Sequence, residues 1–201
     1  MDATAKKLLD LLDSSDVQLR IAAVRVLTEI GVSSKPVITA LGRCLREPYE
    51  EVQLVALKGL ARLGAGDVSN LVVPLILSSG VVRDHAMVVI TAIGPSVATQ
   101  LQKLYEKADF NGKRAVITAL SSIGSRPALE FLLKRLPHEP FELAQHIASR
   151  LCEALSDMKP PQQATIYAAV HKLVRGKPDL RSPHVHITGL ILFGYFHGPR
   201  L

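Results

Sequence analysis

One block recurs four times along this chain, and it constrains the fold more than any other feature. DVQLRIAAVRVLTEIG ends at Gly31, YEEVQLVALKGLARLG at Gly64, SGVVRDHAMVVITAIG at Gly94 and DFNGKRAVITALSSIG at Gly124, aligned without gaps. The closing glycines stand 33, 30 and 30 residues apart. A repeat of that length marks stacked supersecondary units, each too small to bury its apolar face alone.

Counted back from each glycine, the columns are chemically uniform. One residue back stand Ile30, Leu63, Ile93 and Ile123; four back stand Leu27, Leu60, Ile90 and Leu120. Seven back stand Val24, Leu57, Met87 and Ile117; eight back stand Ala23, Ala56, Ala86 and Val116. These offsets share one face of an α-helix, which is therefore the predicted core face. The small residues of the last column allow a neighbouring helix to come close. Each terminal glycine suits a left-handed cap.

A second apolar, helix-like segment precedes each block: Ala3–Asp13, Lys35–Arg46, Val68–Ser78, Ser96–Lys107 and Pro127–Leu136. Pro36, Pro95 and Pro127 fall near helix starts, where the missing N–H costs little, and Asp67 is a candidate N-cap. Pro74 should bend or shorten its helix. A degraded fifth unit ends in Phe141–Asp157, with Ala148, Cys152 and Leu155 at matching offsets if Ser156 takes the glycine position. A sixth pair is read over Pro161–Arg175 and Pro183–Phe196.

Composition agrees with close-packed helices. Hydrophobic residues make up 48% and aromatic residues only 4%, without Trp, so Leu, Val, Ile and Ala must build the core. Cys44 and Cys152 fall at apolar helix positions and read as small reduced core residues, which suits the cytoplasm. The N-terminus lacks the apolar stretch of a signal peptide, and Ile187–Phe196 is too short to span a membrane. The net charge of +6 permits an anionic partner without requiring one. The basic pairs Lys6-Lys7, Lys113-Arg114 and Lys134-Arg135 read as solvated surface.

The columns resemble the short HEAT-like repeat named after the phycobilisome lyases, whose motif runs acidic residue, spacer, apolar residue and Arg, Ala, apolar residue, Leu, Ile-Gly. Asp16, Leu19, Arg20, Ala23, Leu27, Ile30 and Gly31 match it throughout. Gln53 replaces the Arg of the second unit; the fourth carries Lys113, with Gly112 in the apolar place before it. The tryptophan and tyrosine signature of tetratricopeptide repeats and the TPLH turn of ankyrin repeats are both missing. The resemblance implies an all-α, right-handed α-solenoid of about five to six HEAT-like helical hairpins. They form a single domain over 1–201, with repeats near 1–31, 32–64, 65–94, 95–124, 125–157 and 158–201.

Five further columns bear on function. Arg20, Gln53, Arg83 and Lys113 stand eleven back from the glycines. In repeats of the resembled kind this residue bonds an acid or carbonyl of a neighbour, so the column reads as structural and not as a phosphate track; Asp13, Asp16 and Glu50 are the expected partners. The positions 13, 10, 6 and 2 back should line the concave surface, as second helices do in such solenoids. They carry Gln18, Ile21, Arg25 and Glu29, then Glu51, Leu54, Lys58 and Arg62, then Val81, Asp84, Val88 and Ala92, then Asn111, Arg114, Thr118 and Ser122. Gln18, Arg25, Glu29, Glu51, Lys58, Arg62, Arg114 and Thr118 are the candidate partner-binding residues. Val81, Val88 and Ala92 are expected to pack against a neighbouring hairpin or, as the alternative, to seat a helix or an apolar peptide edge.

Catalytic and metal chemistry find little support. GxSxG, P-loop, dinucleotide, HExxH, CxxC and EF-hand patterns are all missing. His184 and His186 do not share a helical face, and His197 lies further on; all read as surface or loop histidines. Asp84-His85 lacks a nucleophile, and no aromatic residue falls on the predicted concave face to stack a base. The reading is a non-catalytic protein–protein interaction module, needing no cofactor and binding a protein partner on its concave surface. A phycobilisome-lyase-like chromophore lyase subunit or chaperone is the alternative implied by the resemblance. A nucleic-acid-binding HEAT-like protein is the alternative permitted by charge. The apolar C-terminal stretch HITGLILFGYFHGPRL lacks a polar capping helix, which suggests that the chain continues in a longer parent protein or that this end packs on a partner or, by self-association, on a second copy.

Overall fold

The computed structural model describes residues 3–63, 68–78 and 80–156, with 158, 163, 164, 166–168, 170, 171 and 189 beyond them. Among these residues the fold is all-α. Two compact units divide the chain, Met1–Gln100 and Leu101–Leu201.

The first unit contains three hairpins. Helices α1 (Ala3–Leu11) and α2 (Val17–Glu29) form one; α3 (Lys35–Cys44) and α4 (Glu50–Leu63) form the next. In the third, the short α5 (Ser69–Val72) continues as a 3-10 turn over Val73–Leu77 and is followed by α6 (Gly80–Ile93). The 3-10 turn begins where Pro74 removes an amide donor, so the first helix of this hairpin is shortened as the sequence implied. The second helices α2, α4 and α6 lie side by side, and each packs on the first helix of its own hairpin.

Helix α7 (Ala98–Tyr105) crosses the boundary between the units. The second unit continues with α8 (Phe110–Ile123), α9 (Arg126–Arg135) and α10 (Phe141–Ser156), in which α8 packs on both α9 and α10. The sixth repeat, 158–201, lies almost wholly outside the described residues. So do Gly64, Asp67, His184, His186, His197 and most of the apolar C-terminal stretch.

Local chemistry sets the helix ends. Gly31, Gly94 and Gly124 have φ of 70°, 77° and 60°, the left-handed caps that the column predicted. Asp16 Oδ1 accepts from the Gln18 N–H at 2.8 Å and caps α2; Asp109 Oδ1 accepts from the Gly112 N–H at 2.8 Å and caps α8. Pro36 and Pro127 fall in the first two positions of α3 and α9.

The core is aliphatic. The columns four and eight back are buried in all four units, and the column seven back is buried except at Met87. The column one back is corrected: Leu63, Ile93 and Ile123 are half-buried and Ile30 is 51% exposed. Positions twelve and five back take part instead. They bury Val52 and Gly59 on α4 and Val82 and Val89 on α6, whereas Leu19 and Val26 on α2 are exposed. This flank of α4 faces α2, whose own corresponding flank has no hairpin before it among the described residues.

A Cβ on Gly59 would lie 2.6 Å from Thr28 Oγ1 and 3.3 Å from Leu41 Cδ1. The tight approach of α4 to α2 therefore sits at a glycine, one turn along from the alanine column. In the degraded fifth unit Ala148 and Leu155 are buried as expected, but Cys152 is only half-buried.

By composition Gly80–Tyr105 is the one stretch of the described residues apolar enough to cross a membrane. Gly94, at φ 77°, divides it. The α6 portion has 14 residues, roughly 21 Å of helix against the ~30 Å of a bilayer core.

Candidate functional site

The column eleven back closes the hairpins. The Arg20 guanidinium donates to the Ser14 carbonyl at 2.5 Å, Gln53 Nε2 to the Glu47 carbonyl at 2.6 Å, and Arg83 Nε to the Ser78 carbonyl at 2.6 Å. Each acceptor lies in the turn just before the donor's own helix. Arg20 also pairs with Glu47 of the following hairpin at 3.0 Å, and Lys113 pairs with Glu139 of its following hairpin at 3.0 Å. The structural role is as expected, with different partners. Asp16 is a cap, Asp13 stands 3.6 Å from Arg43, and Glu50 opens α4. A column so engaged is not a phosphate track.

One member of each of two basic pairs read as surface converges on one buried carboxylate, while Arg114 and Lys134 are exposed. Glu139 is 4% exposed and receives both Lys113 and Arg135, the latter at 3.1 Å. The same two cations flank the Tyr105 ring at 5.0 and 5.4 Å from its centroid, and Phe131 meets that ring edge-on at 5.5 Å. Sequence spacing does not reveal this cluster, because Tyr105, Lys113, Arg135 and Glu139 come from three helices and a turn.

The opposite side of α2, α4 and α6 bears a groove of about 480 Å³. Arg25, Thr28 and Glu29 contribute from α2, Val55, Leu57, Lys58, Gly59, Ala61 and Arg62 from α4, and His85 and Val88 from α6. The close approach at Gly59 and Thr28 forms its floor. Thr28 turns its hydroxyl away to donate to the Val24 carbonyl at 2.8 Å. Arg25, Lys58 and Arg62 project from the rim, and Arg62 is held by Glu29 in an ion pair between neighbouring hairpins. His85 Nδ1 stands 2.9 Å from the Val81 carbonyl, so it is turned to its own helix and not to Asp84.

Of the residues predicted to bind a partner, Arg25, Glu29, Lys58 and Arg62 come together at this groove. Gln18 and Glu51 are exposed near the starts of the same helices and do not line it. Arg114 and Thr118 belong to the second unit. There Thr118 donates to the Arg114 carbonyl at 3.0 Å and lies 3.2 Å from His146 Nε2. Burial, and after it the Arg114 charge, hold His146 below its ordinary pKa.

Two expectations for this face need correction. Ile21 is buried, whereas Leu54 at the same position of the next unit is half-buried and Asp84 and Arg114 are exposed. Val81 and Val88 are 47% and 60% exposed, and Ala92 is exposed, so they are not packed against a neighbour. Val55, Ala61 and His85 line the groove although the sequence does not assign them to the concave face; they flank the predicted columns by one turn. Among the described residues no three His, Cys, Asp or Glu side chains gather in a way that would hold a metal ion.

No protein-family model matches the chain, and no curated protein sequence does either. Solved structures do. The chain superposes on an archaeal HEAT-like repeats protein from Thermococcus onnurineus NA1 with a TM-score of 0.50 and 18% identity, covering 94% of this chain and 88% of that one. The fold is that of the HEAT-like repeat proteins. An engineered protein also gives a TM-score of 0.50 at 19% identity, with 97% and 98% of the two chains covered. The complex of CpcE and CpcF of phycocyanin lyase from Nostoc sp. PCC7120 gives 0.42 at 15% identity, covering 96% and 94%. At these identities a HEAT-like likeness establishes the fold alone.

Proposed function

We propose that this chain is a non-catalytic protein-binding module whose site is the groove across α2, α4 and α6. One observation carries the reading: a cleft of about 480 Å³ combines apolar Val55, Ala61 and Val88 with a charged rim of Arg25, Glu29, Lys58 and Arg62. Apolar area to bury and charged groups to set register are what a protein segment needs from a docking surface. The stack of second helices supplies this face without any catalytic residue. Two free cysteines suit a reducing, cytoplasmic setting.

Selection from a random peptide display library tests this. The reading expects enriched peptides that bind the wild-type chain and lose binding when Val55→Arg and Val88→Arg fill the groove. Both positions are at least partly exposed, so the doubly substituted chain should keep its helical circular dichroism. If no enriched peptide depends on the groove, the reading fails.

A further inference from the structure

The groove has an electrostatic bias that its residues do not themselves neutralise. Three cations and one carboxylate line it. Glu29 is committed to Arg62. Among the described residues no carboxylate lies within ion-pair distance of Arg25 or Lys58. Both are exposed, on adjacent helices, and six residues back from their respective glycines. Packed helices lie roughly 8–10 Å apart, so these two charges are set about one helix spacing from each other. Beside them Val88 leaves 60% of its surface open.

We infer that the groove takes an acidic, amphipathic segment of a partner protein, with carboxylates on Arg25 and Lys58 and an apolar side chain against Val55 and Val88. This rests on the protein-binding reading above and adds the chemistry of the occupant. A basic segment would bring like charges against Arg25 and Lys58. A second copy docked groove to groove would bring the same excess of cations to both sides of the interface. Nucleic acid calls for many phosphate contacts and for stacking surfaces, and the lining holds two unpaired cations and no Phe, Tyr or Trp.

The test is fluorescence anisotropy with labelled short peptides of Glu/Leu, Glu/Ser and Lys/Leu composition, and with an oligothymidylate, on the full chain. The Glu/Leu peptide should bind tightest, and its affinity should fall as NaCl rises from about 0.05 to 0.5 M. Arg25→Gln with Lys58→Gln should weaken it at least about tenfold, and Arg25→Glu with Lys58→Glu should abolish it. Lys134→Glu, an exposed change in the other unit, should leave it unaltered. The inference is overturned if Lys/Leu binds as well as Glu/Leu, if Glu/Ser does, if charge reversal has no effect, or if the oligothymidylate binds more tightly. Its failure differs from failure of the wider reading: groove-dependent peptides that are not acidic would sink the inference alone.

Discussion

Lys113 on α8 sets its ammonium 3.0 Å from Glu139 Oε2, in the turn before α10, and the carboxylate it meets is almost fully buried. Arg20 makes the corresponding reach to Glu47 in the first unit, where the cation is the more buried of the two (9% against 23%) and the carboxylate the more open (23% against 3%). The same repeat column thus joins consecutive hairpins twice, by cation and carboxylate. Removing one member of a buried pair leaves the other with its desolvation uncompensated, at about 3–5 kcal/mol. Glu139 keeps Arg135 when Lys113 is lost. Lys113→Met should therefore cost less, about 1–3 kcal/mol, in urea unfolding. Arg20→Met, whose carboxylate partner is the more open one, should cost less again. Equal losses at the two sites would show that burial of the carboxylate is not what sets the strength.

Gly59 and Thr28 form a second coupled pair. Gly59→Ala gains about 1 kcal/mol of helix propensity but presses a methyl into Thr28 Oγ1, and overpacking of this kind costs about 1–3 kcal/mol. The single change should destabilise. In a Thr28→Ala background it should be neutral or stabilising, since the obstructing oxygen is gone. A double-mutant cycle by thermal unfolding reads the coupling; additive effects would place the clash elsewhere.

The Glu29–Arg62 pair is exposed, with side chains 67% and 56% accessible. Exposed pairs contribute about 0–1 kcal/mol. Glu29→Gln should leave the unfolding midpoint almost unchanged while releasing Arg62 into the groove. Its effect should appear as tighter binding of the Glu/Leu peptide. A large loss of stability with no change in affinity would assign the pair a structural role.

Burial first, and then the Glu47 charge, push the Cys44 thiol from its ordinary value of 9.0 up to about 11. The folded state therefore holds the thiol neutral where the unfolded chain ionises it. The stability this contributes is complete below pH 9 and is lost as pH rises through about 11. Burial raises Tyr105 as well, with Glu139 next in effect, so its contribution also fades in alkali. Unfolding measured from neutral pH to pH 11 should show a decline that is shallower for Cys44→Ala. At neutral pH a thiol reagent should modify the half-buried Cys152 before Cys44. An unchanged slope in the alanine variant would assign the decline to other groups.

Much of the helical architecture is legible in single residues. The leucine and isoleucine four back, the alanine eight back and the closing glycine report periodicity and cap geometry, which are local properties of a helix. Pro74 announced a shortened helix for the same reason. Arg25, Glu29, Lys58 and Arg62 could be placed on one exposed helix face because a face opposite a buried one follows from the same period. The aliphatic composition pointed to helix packing, and the eleven-back column to a structural role, though Arg20, Gln53 and Arg83 bond the turns before their own helices and only Arg20 and Lys113 reach the next hairpin.

Tertiary structure decided the rest, because the deciding distances join residues remote in the chain. Ile21 is buried and Ile30 exposed through the placement of neighbouring hairpins, and no helical wheel contains that information. Glu139 collects Lys113 and Arg135 only after α8, α9 and their turns have come together. The groove exists because Gly59 lets α4 approach Thr28 on α2, and its unpaired Arg25 and Lys58 are defined by where Glu29 went. Periodicity is written residue by residue along a helix; burial and charge balance belong to the space between helices.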